Sequence, residues 1–277
     1  MDDLRIIHGY NARLDGERFP AAAPFFPERG CSLPAPFALD SKVVSFPSMD
    51  PSLQFSLPET APGITLPGTV LFPQATMPLF IFEPRYRRML EEVLGGNHLM
   101  IVATQDEERA RSGDAFEPYH PAATLGMVQS SQKNSDGTSS ILVQGIIRVN
   151  AETTCQEEPF RVFAMRPVES EAGAPALDLE KKATHLIALI RRRSELGGGI
   201  SREILRFFES IDNPEILADI VAFTLVSKTD QKLRLLRSPV ITSRLDILLA
   251  LLREEIREIE LIARLKGGLD EDRIPWN

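Results

Sequence analysis

The apolar residues of this chain follow one rhythm up to about Gly173 and another beyond it, and that single change restricts the fold more than any motif does. From Ile64 they fall in short extended runs, at residues 64–66, 69–73, 77–82, 99–103, 124–130, 139–149 and 160–168, separated by Pro and Gly. Asp136-Gly137 sits between two of these runs and supplies a tight reversal, so a hairpin is expected there. One helix is expected within this region. Pro84 suits a first helical position, Tyr86, Met89, Leu90, Val93 and Leu94 recur at three to four, and Gly95-Gly96 stops it.

Past Gly173 the period becomes helical. Leu179, Ala183, Leu186, Ile187 and Ile190 share one face, and Ile204, Leu205 and Phe208 mark a second helix. Asn213-Pro214 is an N-cap followed by proline, ahead of Ile216, Leu217, Ile220, Val221 and Leu225. A short helix around 231–236 ends before Pro239, and a long one over 243–266 carries Leu245, Leu248, Leu249, Leu252, Ile256, Ile259 and Ile262. The fold class is therefore α+β, strands first and a helical bundle ending in a long helix second.

Before residue 63 the pattern has no period. Nine of the 21 prolines fall there, interleaved with Phe19, Phe25, Phe26, Phe37, Phe46 and Phe55, and such a stretch reads as a mobile leader. The expected organisation is a leader over 1–62, a β-rich domain over 63–172, a bundle over 173–268 and a tail over 269–277. The net charge of −8 works against general attraction to phosphate backbones, which makes nucleic acid an unfavoured partner. Residues 1–176 hold 14 basic and 22 acidic side chains and the remainder hold 17 of each, so the β part carries the excess acid. With Cys31 and Cys155 far apart, an acidic start and no apolar run approaching the ~18 residues of a membrane span, a cytoplasmic protein without a membrane partner is expected.

Catalytic chemistry has little support. His8, His98, His120 and His185 are scattered without metal-ligand spacing, and Cys155 has no sequence partner that would activate it. Gly197-Gly198-Gly199 follows a helix and lacks the lysine of a phosphate loop, so it reads as a connector. Arg191-Arg192-Arg193 stands at a helix end, where positive charge complements the terminal carbonyls. No catalytic, cofactor-binding or metal-ligating residue is expected.

The segment Leu66-Pro67-Gly68-Thr69-Val70-Leu71-Phe72-Pro73, followed by Met77 through Met89 with Phe82-Glu83-Pro84-Arg85-Tyr86, resembles the opening of the Lon N-terminal domain in its stand-alone form. Leu125-Gly126-Met127-Val128 and Val143-Gln144-Gly145-Ile146-Ile147-Arg148-Val149 continue the resemblance in order, to about residue 266. Gln74 departs from it, standing where glycine is usual. The resemblance implies a PUA-like β pseudo-barrel with a short helix, followed by helices and used to recognise protein substrates. No ATPase or peptidase motif accompanies it. It implies binding of exposed apolar polypeptide segments, or of a protease or chaperone partner, without enzymatic activity. RNA binding on the PUA-like fold and a cryptic hydrolase are the alternatives. Signature positions implied to be mainly structural are Pro73, Phe82, Glu83, Pro84, Arg85, Tyr86, Gly145 and Arg148. Simple strand parity puts Ile141, Val143, Ile147 and Val149 on one face and Arg148 on the other, where it could pair with Glu83.

Overall fold

Strand β1 (Thr60–Leu66) runs parallel to β3 (Leu99–Gln105), and the chain between them forms β2 (Thr76–Ile81) and helix α1 (Pro84–Gly95). A short helix α2 (Glu107–Ser112) leads to β4 (Tyr119–Lys133), β5 (Ser139–Gln156) and β6 (Val162–Pro167). The computed structural model describes residues 57–113 and 117–269, so the expectations for residues 1–56 and 270–277 lie outside the described residues. These residues divide into a β unit, ending at Pro167, and a helical unit that takes Phe72–Ala75 and everything from Val168.

In the β unit the strand order is β2-β5-β4-β3-β1-β6, and β5 also pairs with β6, which closes five strands into a ring with β2 outside it. The long β5 makes this possible, because its first half pairs with β2 and its second half with β6. Register shifts interrupt three of the pairings, and the result is a pseudo-barrel, not a clean one. Leu99, Ile101, Leu125, Val149 and Phe163 fill its centre, all essentially inaccessible. Burying each such side chain is worth about 1.5–3 kcal/mol.

The expected reversal between β4 and β5 is present. Gly137 has φ +83°, and the Asp136 carboxylate accepts from the Thr138 amide at 2.9 Å and from its hydroxyl at 2.6 Å. Those bonds to Thr138 hold the Asp136 carboxyl below the usual aspartate value. Helix α1 also follows the sequence: Pro84 opens it and Tyr86, Met89, Leu90 and Val93 are buried.

Three features differ from the expectation. Strand β1 begins at Thr60, ahead of the expected domain start, because Thr60, Ala61 and Pro62 pair with β6 despite the neighbouring prolines. Residues 69–73 are buried yet form no strand. Their carbonyls find side-chain donors in place of a ladder: the Thr104 hydroxyl donates to Thr69 O at 2.7 Å and the Thr124 hydroxyl to Leu71 O at 2.6 Å. Finally, Leu125 pairs with Ile147 while Gly126 pairs with Gly145, so Ile146 is a bulge that inverts the parity of everything after it. Arg148 therefore lies in phase with Ile141 and Val143, and not opposite them.

The helical unit contains α3 (Ala176–Glu195), α4 (Arg202–Glu209), α5 (Pro214–Leu225), α6 (Thr229–Arg237) and α7 (Ile241–Leu269). Asn213 caps α5, its carboxamide oxygen accepting from the Glu215 and Ile216 amides, and Ser201 caps α4 by accepting from Ile204. Residues 168–172 belong here and not with the strands. Glu171 bridges to Val240, and Gly173, at φ +69°, brings its backbone so close to Val240 that a Cβ would overlap that side chain. Leu186, Ile190, Phe208, Leu217, Val221, Leu235, Leu245 and Leu248 form the buried seam. Arg244 is sunk within this unit at 1% exposure, donating to Asp219 at 2.7 Å, Ser170 at 2.8 Å and Glu215 at 3.1 Å.

Candidate functional site

Alternation along β2 decides what its two faces offer. Met77, Leu79 and Ile81 are buried, so Thr76, Pro78 and Phe80 take the other face, and Phe82 continues that parity just past the strand end. Phe80 and Phe82 stack with ring centroids 6.3 Å apart and planes 23° from parallel. Phe82 is exposed. Strand β2 lies at the end of the strand order and pairs with β5 alone among the described residues. An aromatic pair thus stands on an edge strand, and Pro78, which has no N–H, limits further strand pairing there.

Beside it lies an ionic rim built on the first turn of α1. Glu83 is the residue preceding the helix, and its carboxylate accepts from Arg85 Nε at 2.8 Å. The same guanidinium grips Glu117 with both terminal nitrogens, at 2.9 and 2.5 Å, and lies 4.4 Å from the centre of the Tyr86 ring. Although partial burial opposes its charge, Glu117 and Glu83 raise the Arg85 pKa, so it stays cationic. Burial, with the Glu117 charge adding to it, pushes the Tyr86 hydroxyl up to about 12.

Glu117 is also held from behind. Its carbonyl accepts from Arg161 at 2.5 Å, and Arg161 bonds Glu157 at 2.8 Å and the Thr65 hydroxyl at 3.3 Å. With φ at +42°, Glu117 occupies backbone space that non-glycine residues avoid, and two arginines keep it there. Glu117 is thus held through both its carboxylate and its carbonyl, and Glu83, the other carboxylate on Arg85, directly follows the exposed Phe82.

The signature positions separate by burial. Phe82, Glu83 and Arg85 meet at this surface, and the exposed Pro84 starts α1 beneath it. Pro73, Tyr86, Gly145 and Arg148 are buried. Arg148 does not pair with Glu83, whose carboxylate is taken by Arg85; the bulge at Ile146 turns Arg148 to the other face. Glu117 and Arg161 were not singled out from the sequence: Glu117 lies outside the periodic runs and 32 residues from the arginine it binds, and Arg161, within the 160–168 run, reaches it only through the fold.

The remaining motifs have local explanations. Arg191, Arg192 and Arg193 form ion pairs with Glu209, Glu260 and Glu255 respectively, which makes the basic run a set of interhelical ties. Gly197 and Gly199 take positive φ between α3 and α4. His98, at φ +62°, turns the chain from α1 into β3, and Cys155 lies near the end of β5. Gln74 has φ +62°, which gives the physical reason for glycine being suited to that position. Among the described residues no three His, Cys, Asp or Glu side chains gather as a metal site, and no helix is long and apolar enough to cross a membrane.

Residues 60–254 match the family described as the ATP-dependent protease La (LON) substrate-binding domain. Relatives include Lon proteases of Desulfosudis oleivorans, 24% identical over 78% of this chain and 26% of that protein, and of Azorhizobium caulinodans, 27% identical over 81% and 26%. The chain thus spans about a quarter of the length of these curated relatives. Among solved structures, the N-terminal domain of Mycobacterium avium complex Lon protease is similar with a TM-score of 0.53 at 15% identity, covering 70% of this chain and 98% of that one. A Lon N-terminal domain protein from Xanthomonas campestris gives 0.50 at 19% identity, covering 69% and 97%. The match over residues 60–254, well over half of the chain, together with the shared strand-then-helix fold, means that this chain belongs to the Lon substrate-binding domain family.

Proposed function

We propose that this protein is a non-enzymatic recognition module that binds exposed apolar segments of polypeptides at the surface formed by Phe80, Phe82 and the first turn of α1. The observation that carries this reading is the stacked aromatic pair on an edge strand, bordered by the fixed Glu83–Arg85–Glu117 rim. An apolar side chain of the client covers the rings, while the rim's carboxylates and guanidinium bond backbone or polar groups on either side of it. Binding is chiefly apolar and retains its strength as salt rises, unlike attachment to a phosphate backbone. Delivery to a proteolytic partner follows from the same surface if client and partner occupy different faces.

The test is fluorescence anisotropy with a labelled, permanently unfolded polypeptide and the doubly substituted Phe80→Ser, Phe82→Asp protein. Affinity should fall about tenfold or more, equivalent to about 1.4 kcal/mol, with the melting temperature unchanged. Unchanged affinity would overturn the assignment of the surface. Tight RNA binding that collapses between low and high salt would instead favour the nucleic-acid reading.

A further inference from the structure

A groove lies at the other end of α1 from Glu83 and Arg85, and the strand pairing explains why it is open. Thr60, Ala61 and Pro62 pair with β6, but pairing with β3 begins only at Gly63 with Ile101. Among the described residues the first three positions of β1 therefore have no strand on their β3 side, and the last turn of α1 borders that gap. Pro58, Ala61, Pro62 and Val93 give the groove apolar walls, and Glu92 is the one charged residue that lines it.

Two observations give the groove a negative bias. Helix α1 has no basic residue in its last turn, so nothing on the helix offsets the partial negative charge of its terminal carbonyls there. Glu92 is exposed and enters no ion pair among the described residues, whereas its neighbour Glu91 is taken by Lys133 at 3.2 Å. Arg88 stands one turn before Glu92 on the same helix, but it does not pair with it and does not line the groove.

We propose that this groove takes the arginine or lysine side chain of the same polypeptide whose apolar residue covers Phe80 and Phe82, an assignment that rests on the recognition role proposed above. The aliphatic stem lies against the proline and valine walls, and the cationic head meets the Glu92 carboxylate and the end of α1. Arg85 and Glu92 are seven residues apart, about two turns, so they share one face of α1 and the client can follow that face. Nine helical rises from Glu83 to Glu92 span about 14 Å, and an extended chain advances about 3.3 Å per residue. The preferred client segment therefore carries a basic residue about four positions from its apolar anchor.

The test is anisotropy with the full chain and two labelled, unfolded peptides, alike except that arginine or its neutral isostere citrulline stands four residues to either side of a phenylalanine. The arginine peptide should bind about threefold to fivefold tighter, and the preference should shrink as salt rises. Glu92→Gln should abolish that preference while leaving the citrulline peptide's affinity and the melting temperature unchanged. Phe80→Ser with Phe82→Asp should weaken both peptides alike. Equal binding of the two peptides to the wild type, or a preference that survives Glu92→Gln, overturns the groove assignment and spares the aromatic surface when the double substitution still weakens both. Failure of both peptides to bind the wild type overturns both readings.

Discussion

Arg244 in the helical unit and Arg85 in the β unit each hold two carboxylates, and they do different work. Arg244 in the helical unit is 1% exposed and bound to Asp219, which is itself buried. Arg85 in the β unit keeps 27% of its side chain exposed while gripping Glu83 and Glu117. The contacts are nearly alike in length, yet the surroundings set the energetics: a buried charge that loses its partner cannot recover hydration, and a half-exposed one can. The first cluster fixes the bundle. The second stays partly open to solvent, next in sequence to the exposed Phe82.

The largest effect should come from breaking the buried cluster. Arg244→Met removes the arginine from the buried Asp219 carboxylate and should destabilise the protein by about 3–5 kcal/mol in urea unfolding, and adding Asp219→Leu should recover a substantial part of the loss. A loss below about 1 kcal/mol would show that the cluster is hydrated and would erase the contrast with Arg85. Next comes Glu117→Gln, which removes the charge but keeps the shape. It should cost about 1–2 kcal/mol, discounted for solvent access, and should weaken client binding more than it weakens the fold. The smallest change has the opposite sign. Gln74→Gly relieves a left-handed residue and should stabilise by about 0.5–1 kcal/mol in thermal or urea unfolding, part of the relief being offset by the freer unfolded chain.

The two units also differ in how far the sequence discloses them. Helical contacts obey a local period, so Asn213-Pro214, the stripe of α5 and the long α7 could be read residue by residue. The Asp136-Gly137 reversal and α1 were legible for the same reason, since turn chemistry and capping are local. The β unit depends on partners distant in sequence. Gly145 is the only local hint of a bulge at Ile146, and the pairing with β4 is what shows that it rotates Arg148 onto the Ile141 face. Residues 69–73 look like a strand, but their carbonyls are taken by Thr104 and Thr124, 35 and 53 residues along the chain from the groups they bond. The candidate surface was half legible: Phe82, Glu83 and Arg85 are adjacent in sequence, whereas Glu117 is brought to them by the fold alone.

The most direct measurement is amide chemical-shift mapping of the full chain during titration with a reduced, carboxymethylated polypeptide that cannot fold. If the edge-strand surface is the recognition site, shifts should cluster from Thr76 through Arg88 and at Glu117, and should persist at high salt. Shifts confined to the helical unit, or none at all while anisotropy reports binding, would contradict the account.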